Sequence, residues 1–301
     1  MEVHESVLDV IGNTPLVRLR GVTKGIACRV YAKLENLNPG GSIKDRIGSF
    51  MIERAEREGK LKPGGTIVES TSGNTGVGLA IAAAVKGYRL VCTMPDKMSQ
   101  EKINLLRGYG ARVVVTPTSV PKDDPRHYVQ VARRIAQETS NALYIDQFNN
   151  PDNPRAHYES TGPEIHRQLD GKLDALVLSM GTGGTLTGVG RYLKERIPGL
   201  RIVGADPEGS IYTSLLKTGS PGVTDVYKVE GIGHDYVPGT CDITLLDDCI
   251  TVPDRASFQM ARRLAREEGL FVGGSSGSNV VVALHVARAL PAGATVLVFL
   301  C

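Results

Sequence analysis

The chain has 301 residues, 41% of them hydrophobic, and a formal net charge of +3. That length suits one large domain or two smaller ones, and the even spread of Lys and Arg among Asp and Glu excludes the concentrated basic patch needed for nucleic-acid backbone binding. No apolar run is long enough to cross a bilayer, and the start, Met-Glu-Val-His-Glu, has no signal-peptide core; a soluble cytoplasmic protein without membrane partners is expected.

From the N-terminus, residues 11–18 read as a turn before a short strand, and residues 28–34 as a strand. A helix runs over 45–59: Ile47, Met51 and Ala55 recur at helical spacing, and Glu53, Arg54, Glu56 and Arg57 fill the other side. Strands at 66–69, 88–94, 112–116 and 143–146 alternate with helices at 75–86, 99–108, 125–138 and 156–169. A buried strand at 173–180 leads to a helix ending near Arg196, then a strand at 201–206. Residues 208–240 carry little periodicity and read as a long functional loop. A short strand at 250–252, a helix at 255–268, a helix ending near Leu290 and a strand at 294–299 complete the chain. Strands alternating with helices predict α/β layers around mainly parallel sheets. The strand count favours two sheets over one.

Four loops carry chemistry. Asn38-Pro39-Gly40-Gly41-Ser42-Ile43-Lys44-Asp45-Arg46 turns into the first helix. The helix dipole and Arg46 both disfavour a protonated amine at Lys44. Covalent amine chemistry needs the neutral form, so Lys44 is a candidate Schiff-base former; a solvated surface charge is the plain alternative. Ser70-Thr71-Ser72-Gly73-Asn74-Thr75 offers hydroxyls, an amide and N–H groups at a helix start, which suits a carboxylate; a simple N-cap would need only one of these residues. Gly181-Thr182-Gly183-Gly184-Thr185 follows a strand and opens a helix, the context of a phosphate site. Its rival is a dinucleotide fold, with Asp206 as the ribose acid, but the glycines read GxGG rather than GxGxxG. Ser275, in the Gly273–Gly277 cluster, offers a neutral hydroxyl to a ring nitrogen. The five cysteines show no CxxC spacing, which argues against a disulfide framework, a structural zinc or a haem attachment.

IGNTPLVRL at 11–19, NPGGSIKDR at 38–46, STSGNTG at 70–76, GTGGT at 181–185 and GGSSGS at 273–278 together resemble the cysteine synthase/cystathionine β-synthase family. These are enzymes of fold type II dependent on pyridoxal 5′-phosphate, and the resemblance covers essentially the whole chain in order. It implies a tryptophan synthase β-like fold of two domains, each a mostly parallel twisted sheet flanked by helices. Residues 12–33 and 146–301 would form the larger, cofactor-binding domain. Residues 1–11 and 34–145 would form a smaller mobile domain that carries the substrate carboxylate loop. Lys44 would carry the cofactor and remove the α-proton. Asn74 would bond the cofactor's ring oxygen, and Gly181, Thr182, Gly183, Gly184 and Thr185 its phosphate. Ser275 would face the ring nitrogen. Thr71, Ser72, Asn74 and Thr75 would line the substrate carboxylate site, with Gln147 across from them. A homodimer acting on small amino acids and thiols is implied, with no metal.

The expected reaction is β-replacement through an aminoacrylate intermediate, L-serine and L-homocysteine giving L-cystathionine. Gly40-Gly41-Ser42, the segment at 94–99, Asp206-Pro207-Glu208-Gly209-Ser210 and the segment at 231–238 lean toward the cystathionine β-synthase branch. Phe148 and Thr161-Gly162-Pro163-Glu164-Ile165 resemble the cysteine synthase form, in which O-acetyl-L-serine or O-phosphoserine reacts with sulfide. A serine or threonine dehydratase and a non-catalytic regulator are further alternatives; intact Lys44, Asn74 and Ser275 argue against the regulator. No haem-binding extension precedes the motifs and no tandem regulatory domain follows them, so activation by S-adenosylmethionine at such a domain is not expected. The chain stops at Phe299-Leu300-Cys301, where the family continues with Pro-Asp-Ser.

Overall fold

The computed structural model describes residues 3–71 and 73–301. Its strands in chain order are β1 (Leu16–Arg18), β2 (Arg29–Leu34), β3 (Thr66–Ser70), β4 (Arg89–Pro95), β5 (Arg112–Thr116), β6 (Ala142–Tyr144), β7 (Ala175–Ser179), β8 (Arg201–Pro207), β9 (Asp248–Val252) and β10 (Thr295–Leu300). Its α-helices are α1 (Lys44–Arg57), α2 (Asn74–Lys86), α3 (Gln100–Gly108), α4 (Tyr128–Glu138), α5 (Asp152–Ala156), α6 (Gly162–Gln168), α7 (Gly184–Lys194), α8 (Tyr212–Thr218), α9 (Asp254–Arg263) and α10 (Gly274–Ala289). They divide between two compact units, Met1–Ile11 with Asn38–Asn153 and Gly12–Leu37 with Pro154–Cys301.

The smaller unit is built on a parallel sheet of order β5-β4-β3-β6. Its inner strands are apolar because a parallel sheet is covered on both faces; Ile67 and Val68 of β3 and Cys92 and Met94 of β4 are fully buried. The chain steps from β3 outward through β4 to β5, then returns to the other side of β3 as β6. The order reverses between β3 and β6, and open α/β sheets receive ligands at the carboxyl ends of strands at such a switch point.

The larger unit has the order β1-β2-β10-β7-β8-β9, parallel except for β1 against β2. Val30, Val177, Val296 and Val298 pack with Val280, Ala283 and Leu284 of α10 in its core. Here the reversal lies between β7 and β10. The expected α/β architecture of parallel sheets flanked by helices is the one observed.

Several elements differ from the sequence reading, among them the helix expected at 255–268, whose α9 ends at Arg263 and passes into a π turn, Leu264–Glu268. Helix α4 starts at Tyr128 rather than 125, because the Asp124 carboxylate accepts from the Arg126 N–H and guanidinium and closes a turn first. The helix expected over 156–169 begins at Asp152 and widens into a π turn, His157–Thr161, before α6. Residues 208–240 are not loop throughout: α8 lies within them, two turns long and closed by left-handed Gly219, too short to show a period. No helix among the described residues is long and apolar enough to cross a membrane.

Candidate active site

In the smaller unit, Lys44 is the first residue of α1 and is half-buried. The turn before it is fastened at both ends. The Gly41 N–H donates to the Asn38 carbonyl at 2.8 Å, and the Gly40 N–H to the Asp45 carboxylate at 2.5 Å. The Lys44 N–H donates to Ser42 Oγ at 3.2 Å. Helices α1 and α2 touch backbone to backbone: a Cβ added to Gly78 would stand 2.5 Å from the Lys44 carbonyl oxygen, and one added to Gly48 would stand 2.5 Å from the Gly78 carbonyl carbon. That approach sets Lys44 beside the first turns of α2.

The turn between β3 and α2 is the sequence-predicted carboxylate loop. Thr71 is buried and its N–H donates to the Thr93 carbonyl at 3.1 Å. Thr71 Oγ1 accepts from the Gly73 N–H at 3.2 Å. Ser72 lies outside the described residues. Asn74 opens α2 and is exposed, while Thr75 is buried. The amides of such a first turn have no carbonyl of their own helix to bond, which makes them anion donors. Thr75 Oγ1 donates to Gln147 Oε1 at 2.5 Å, and Gln147 Nε2 donates to the Ser70 carbonyl at 3.3 Å. Thr75 and Gln147 are therefore brought together across the β3–β6 switch point, although 72 residues separate them. Behind them stands Glu69, fully buried, with no hydrogen-bond partner for either carboxyl oxygen among the described residues. Burial first, and then the charge of Asp146, hold its ionisation well above the ordinary carboxylate range.

In the larger unit, the 181–185 loop joins β7 to α7. Its carbonyls are turned away and occupied. The Met180 carbonyl accepts from the Gly233 N–H at 2.7 Å, the Gly181 carbonyl from Tyr212 Oη at 3.3 Å, and the Thr182 carbonyl from Thr240 Oγ1 at 2.6 Å. Thr240 is itself held, its carbonyl accepting from Thr187 Oγ1 at 2.8 Å. Gly183 is left-handed, with φ of +80°, and a Cβ there would collide with Cys241. Burial pushes the Cys241 thiol up to about 12, so it packs there as a neutral group. Gly184 and Thr185 form the first turn of α7. With three successive carbonyl oxygens tied back, the partial charge that the loop offers a ligand is that of its amides and of the helix start.

Ser275, the second residue of α10, is half-buried and its hydroxyl has no hydrogen-bond partner among the described residues. Its neighbours are engaged: Ser276 Oγ donates to the Cys301 carbonyl at 2.7 Å, and Ser278 Oγ pairs with Ser257 Oγ at 2.7 Å.

Comparison with known proteins gives this arrangement its context. The family model described as pyridoxal-phosphate dependent enzyme matches residues 7–301. The chain belongs to that family. It is 51% identical over 301 residues to the cystathionine β-synthase of Oryctolagus cuniculus, covering 99% of this chain and 54% of that protein. The chain thus spans about half the length of the curated cystathionine β-synthases it matches. It is 46% identical over 299 residues to the cysteine synthase of Staphylococcus aureus, covering 98% of this chain and 93% of that protein. The solved structure of an O-acetylserine dependent cystathionine β-synthase from Helicobacter pylori matches with a TM-score of 0.90 and 38% identity, covering 100% of this chain and 95% of that one.

The cofactor of the family is pyridoxal 5′-phosphate. The residues present fit it: an amide cup with its carbonyls tied back suits a phosphate dianion, and the unpartnered Ser275 hydroxyl suits a ring nitrogen. Sequence reasoning missed the residues that shape the cup. Tyr212, Thr240 and Cys241 lie outside the motifs, and Gly231, over which a Cβ on Gly181 would crowd, was read only as part of the 231–238 branch segment and not as part of the loop's surroundings. The signal for Tyr212, Gly231 and Thr240 was the aperiodic 208–240 stretch; nothing in the sequence pointed to Cys241.

Proposed function

We propose that this chain catalyses β-replacement on L-serine, or on an O-activated serine, with a thiol, and that its principal reaction is L-serine plus L-homocysteine giving L-cystathionine and water. The observation that supports this reading is the backbone contact of α1 with α2, which sets Lys44 beside the helix start proposed to take the carboxylate. Pyridoxal 5′-phosphate, when bound, supplies an electron sink for charge at the substrate's α-carbon. Lys44 would hold it through the amine, the 181–185 loop through the phosphate, Ser275 through the ring nitrogen and Asn74 through the ring oxygen. Thr71, Ser72, Asn74, Thr75 and Gln147 bind the substrate carboxylate and so orient the α-proton toward Lys44. Lys44 Nζ takes that proton as general base. It then returns it to the β-oxygen, because hydroxide leaves only when protonated, whereas acetate leaves unaided. The incoming thiol gives its proton to the Lys44 amine as its sulfur bonds to the β-carbon, and Lys44 passes that proton to the α-carbon, so that serine and thiol give the thioether and one water.

The second reading is a cysteine synthase acting on O-acetyl-L-serine or O-phosphoserine and sulfide. It draws on the Staphylococcus aureus relative, which the chain matches over 93% of its length. The proposal also makes the protein a cytoplasmic homodimer, which light scattering of the purified chain tests.

The deciding experiment titrates the purified holoprotein with L-serine and, separately, with O-acetyl-L-serine, following the visible absorbance of the cofactor. L-serine is expected to shift the band, and L-homocysteine to reverse the shift with cystathionine formed. A shift with O-acetyl-L-serine alone, discharged by sulfide to cysteine, would favour the second reading. Lys44→Ala is expected to abolish turnover, and full activity in that variant would refute the assignment.

A further inference from the structure

His157 is almost fully buried and lies in the π turn between α5 and α6, outside every sequence motif. Its ring bridges two threonine hydroxyls: Nδ1 lies 2.9 Å from Thr161 Oγ1, and Nε2 lies 3.3 Å from Thr185 Oγ1. Thr185 is half-buried, in the first turn of α7. The close packing is built in, since a Cβ on Gly188 of α7 would stand 2.6 Å from the His157 Cβ. π turns inside helices gather at functional sites because they redirect side chains that a regular helix would place elsewhere.

A threonine in a first turn commonly bonds back to a carbonyl three or four residues earlier. For Thr185 those are the Thr182 and Gly181 carbonyls, but among the described residues its hydroxyl is hydrogen-bonded to the histidine instead. The Thr185 hydroxyl therefore takes its direction from the histidine. A neutral imidazole bridging two hydroxyls has two proton arrangements. In one, Nδ1–H donates to Thr161 and Nε2 accepts the Thr185 proton, presenting only an oxygen lone pair outward. In the other, Thr161 donates to Nδ1, Nε2–H donates to Thr185 Oγ1, and the Thr185 hydrogen is left for an outside acceptor. A phosphate dianion carries acceptors only, so it selects the second.

We propose that His157 is a positioning residue of the phosphate loop, fixing Thr185 as a hydrogen-bond donor to the cofactor's phosphate. The inference rests on the proposed role of the 181–185 loop.

The test measures the affinity of the apoprotein for pyridoxal 5′-phosphate and for pyridoxal by equilibrium dialysis, in wild type, His157→Leu, His157→Gln, Thr185→Val and the His157→Leu/Thr185→Val double variant. His157→Leu is expected to lose roughly tenfold in affinity for pyridoxal 5′-phosphate, the scale of one hydrogen bond to a charged group. Its affinity for pyridoxal, which lacks the phosphate, is expected to stay at the wild-type value. The glutamine amide can replace Nε2–H and should restore most of the loss. In the Thr185→Val background the histidine change should cost nothing further. Equal losses for both ligands, or additive losses in the double variant, would reduce His157 to a packing residue and overturn the inference. If His157→Leu does not fold, the ¹⁵N shifts of the wild-type holoprotein decide: a ring protonated on Nε2 supports the proposal, and one protonated on Nδ1 alone defeats it. A wild-type chain that takes up no cofactor would defeat the proposed function as well, whereas a loss confined to the His157 prediction leaves that function standing.

Discussion

Glu69 is the residue whose surroundings conflict most with its charge. It sits mid-sheet on β3, fully buried, with neither carboxyl oxygen hydrogen-bonded among the described residues. Burial, first of all, pushes its ionisation to higher pH in the folded state. The unfolded chain ionises it from about pH 4 upward, while the folded chain keeps the proton. Its contribution to stability is thus intact in acid and drains as pH rises toward the folded value. Glu69→Gln keeps the shape and removes that drain. Its urea midpoint should fall less than that of wild type between about pH 5 and about pH 8, and should lie higher at the upper pH. Midpoints running parallel would mean that Glu69 is not protonated in the fold. The sequence offered no hint of this: an acid before Ser70-Thr71 reads as a polar strand end, and it is the placing of β3 between β4 and β6, with Glu69 opposite Cys92, that makes it part of an inner strand. Ser275 is the converse case. Its place in the Gly273–Gly277 cluster marked it as a neutral hydroxyl, while nothing local separates it from Ser276 and Ser278; Cys301 and Ser257 take up the other two hydroxyls.

At the scale of elements, glycine placement is what the sequence made visible, and the reason for it is what it hid. The clusters at 40–41 and 181–184 marked the turns before α1 and α7, whereas Gly76 and Gly78 of the 73–78 cluster and Gly277 of the 273–277 cluster lie inside helices α2 and α10. Isolated Gly48, inside α1, reads as a local cost to the helix. Its reason is α2, whose Gly78 leaves no room for a side chain on either helix. Gly78→Ala drives a methyl into the Lys44 carbonyl, a backbone atom that cannot swing aside. A loss of about 2 kcal/mol or more is expected on the scale of overpacked cores, with cofactor absorbance reduced in the folded fraction. Denaturation and a spectrum of the same sample check both. An unaltered midpoint would show that α1 and α2 can separate at no cost. The 208–240 stretch reads as a functional loop from its missing period; what the structure shows is support of the 181–185 loop, Tyr212 and Thr240 bonding its carbonyls while Cys241, just beyond the stretch, stands where a Cβ on Gly183 would be.

For the whole molecule, alternation of strands and helices made the α/β class legible, while strand order was not, since pairing partners lie far apart in sequence. Order matters here because both reversals, β3 to β6 and β7 to β10, fall where the candidate loops emerge. Equally hidden was a buried network in the larger unit. Lys33 of β2 pairs with Glu164 of α6 and donates to the Gln168 side chain at 2.9 Å. Glu164 accepts from the Asn13 N–H at 3.0 Å, and Glu35 accepts from Thr14 Oγ1 at 2.7 Å. These bonds fasten segments 13–14 and 33–35, just inside the places where the chain passes from one unit to the other, after Ile11 and after Leu37. Lys33→Met strands a buried carboxylate, and a loss of about 3–5 kcal/mol is expected. Adding Glu164→Gln should recover part of it. Urea titration of the single and double variants measures the difference, and a double variant less stable than the single would contradict the pairing.

The tied carbonyls of the 181–185 loop have a consequence at the bench. Their partners are protein groups, so the cup owes its shape to the chain and not to what it holds. A receptor formed in advance does not discriminate by waiting for its guest, and any small tetrahedral dianion is a rival. Apoprotein kept in a phosphate or sulfate buffer should therefore take up cofactor more weakly than the same apoprotein in an amine-sulfonate buffer of equal ionic strength. The handicap should fade on dialysis without any refolding step.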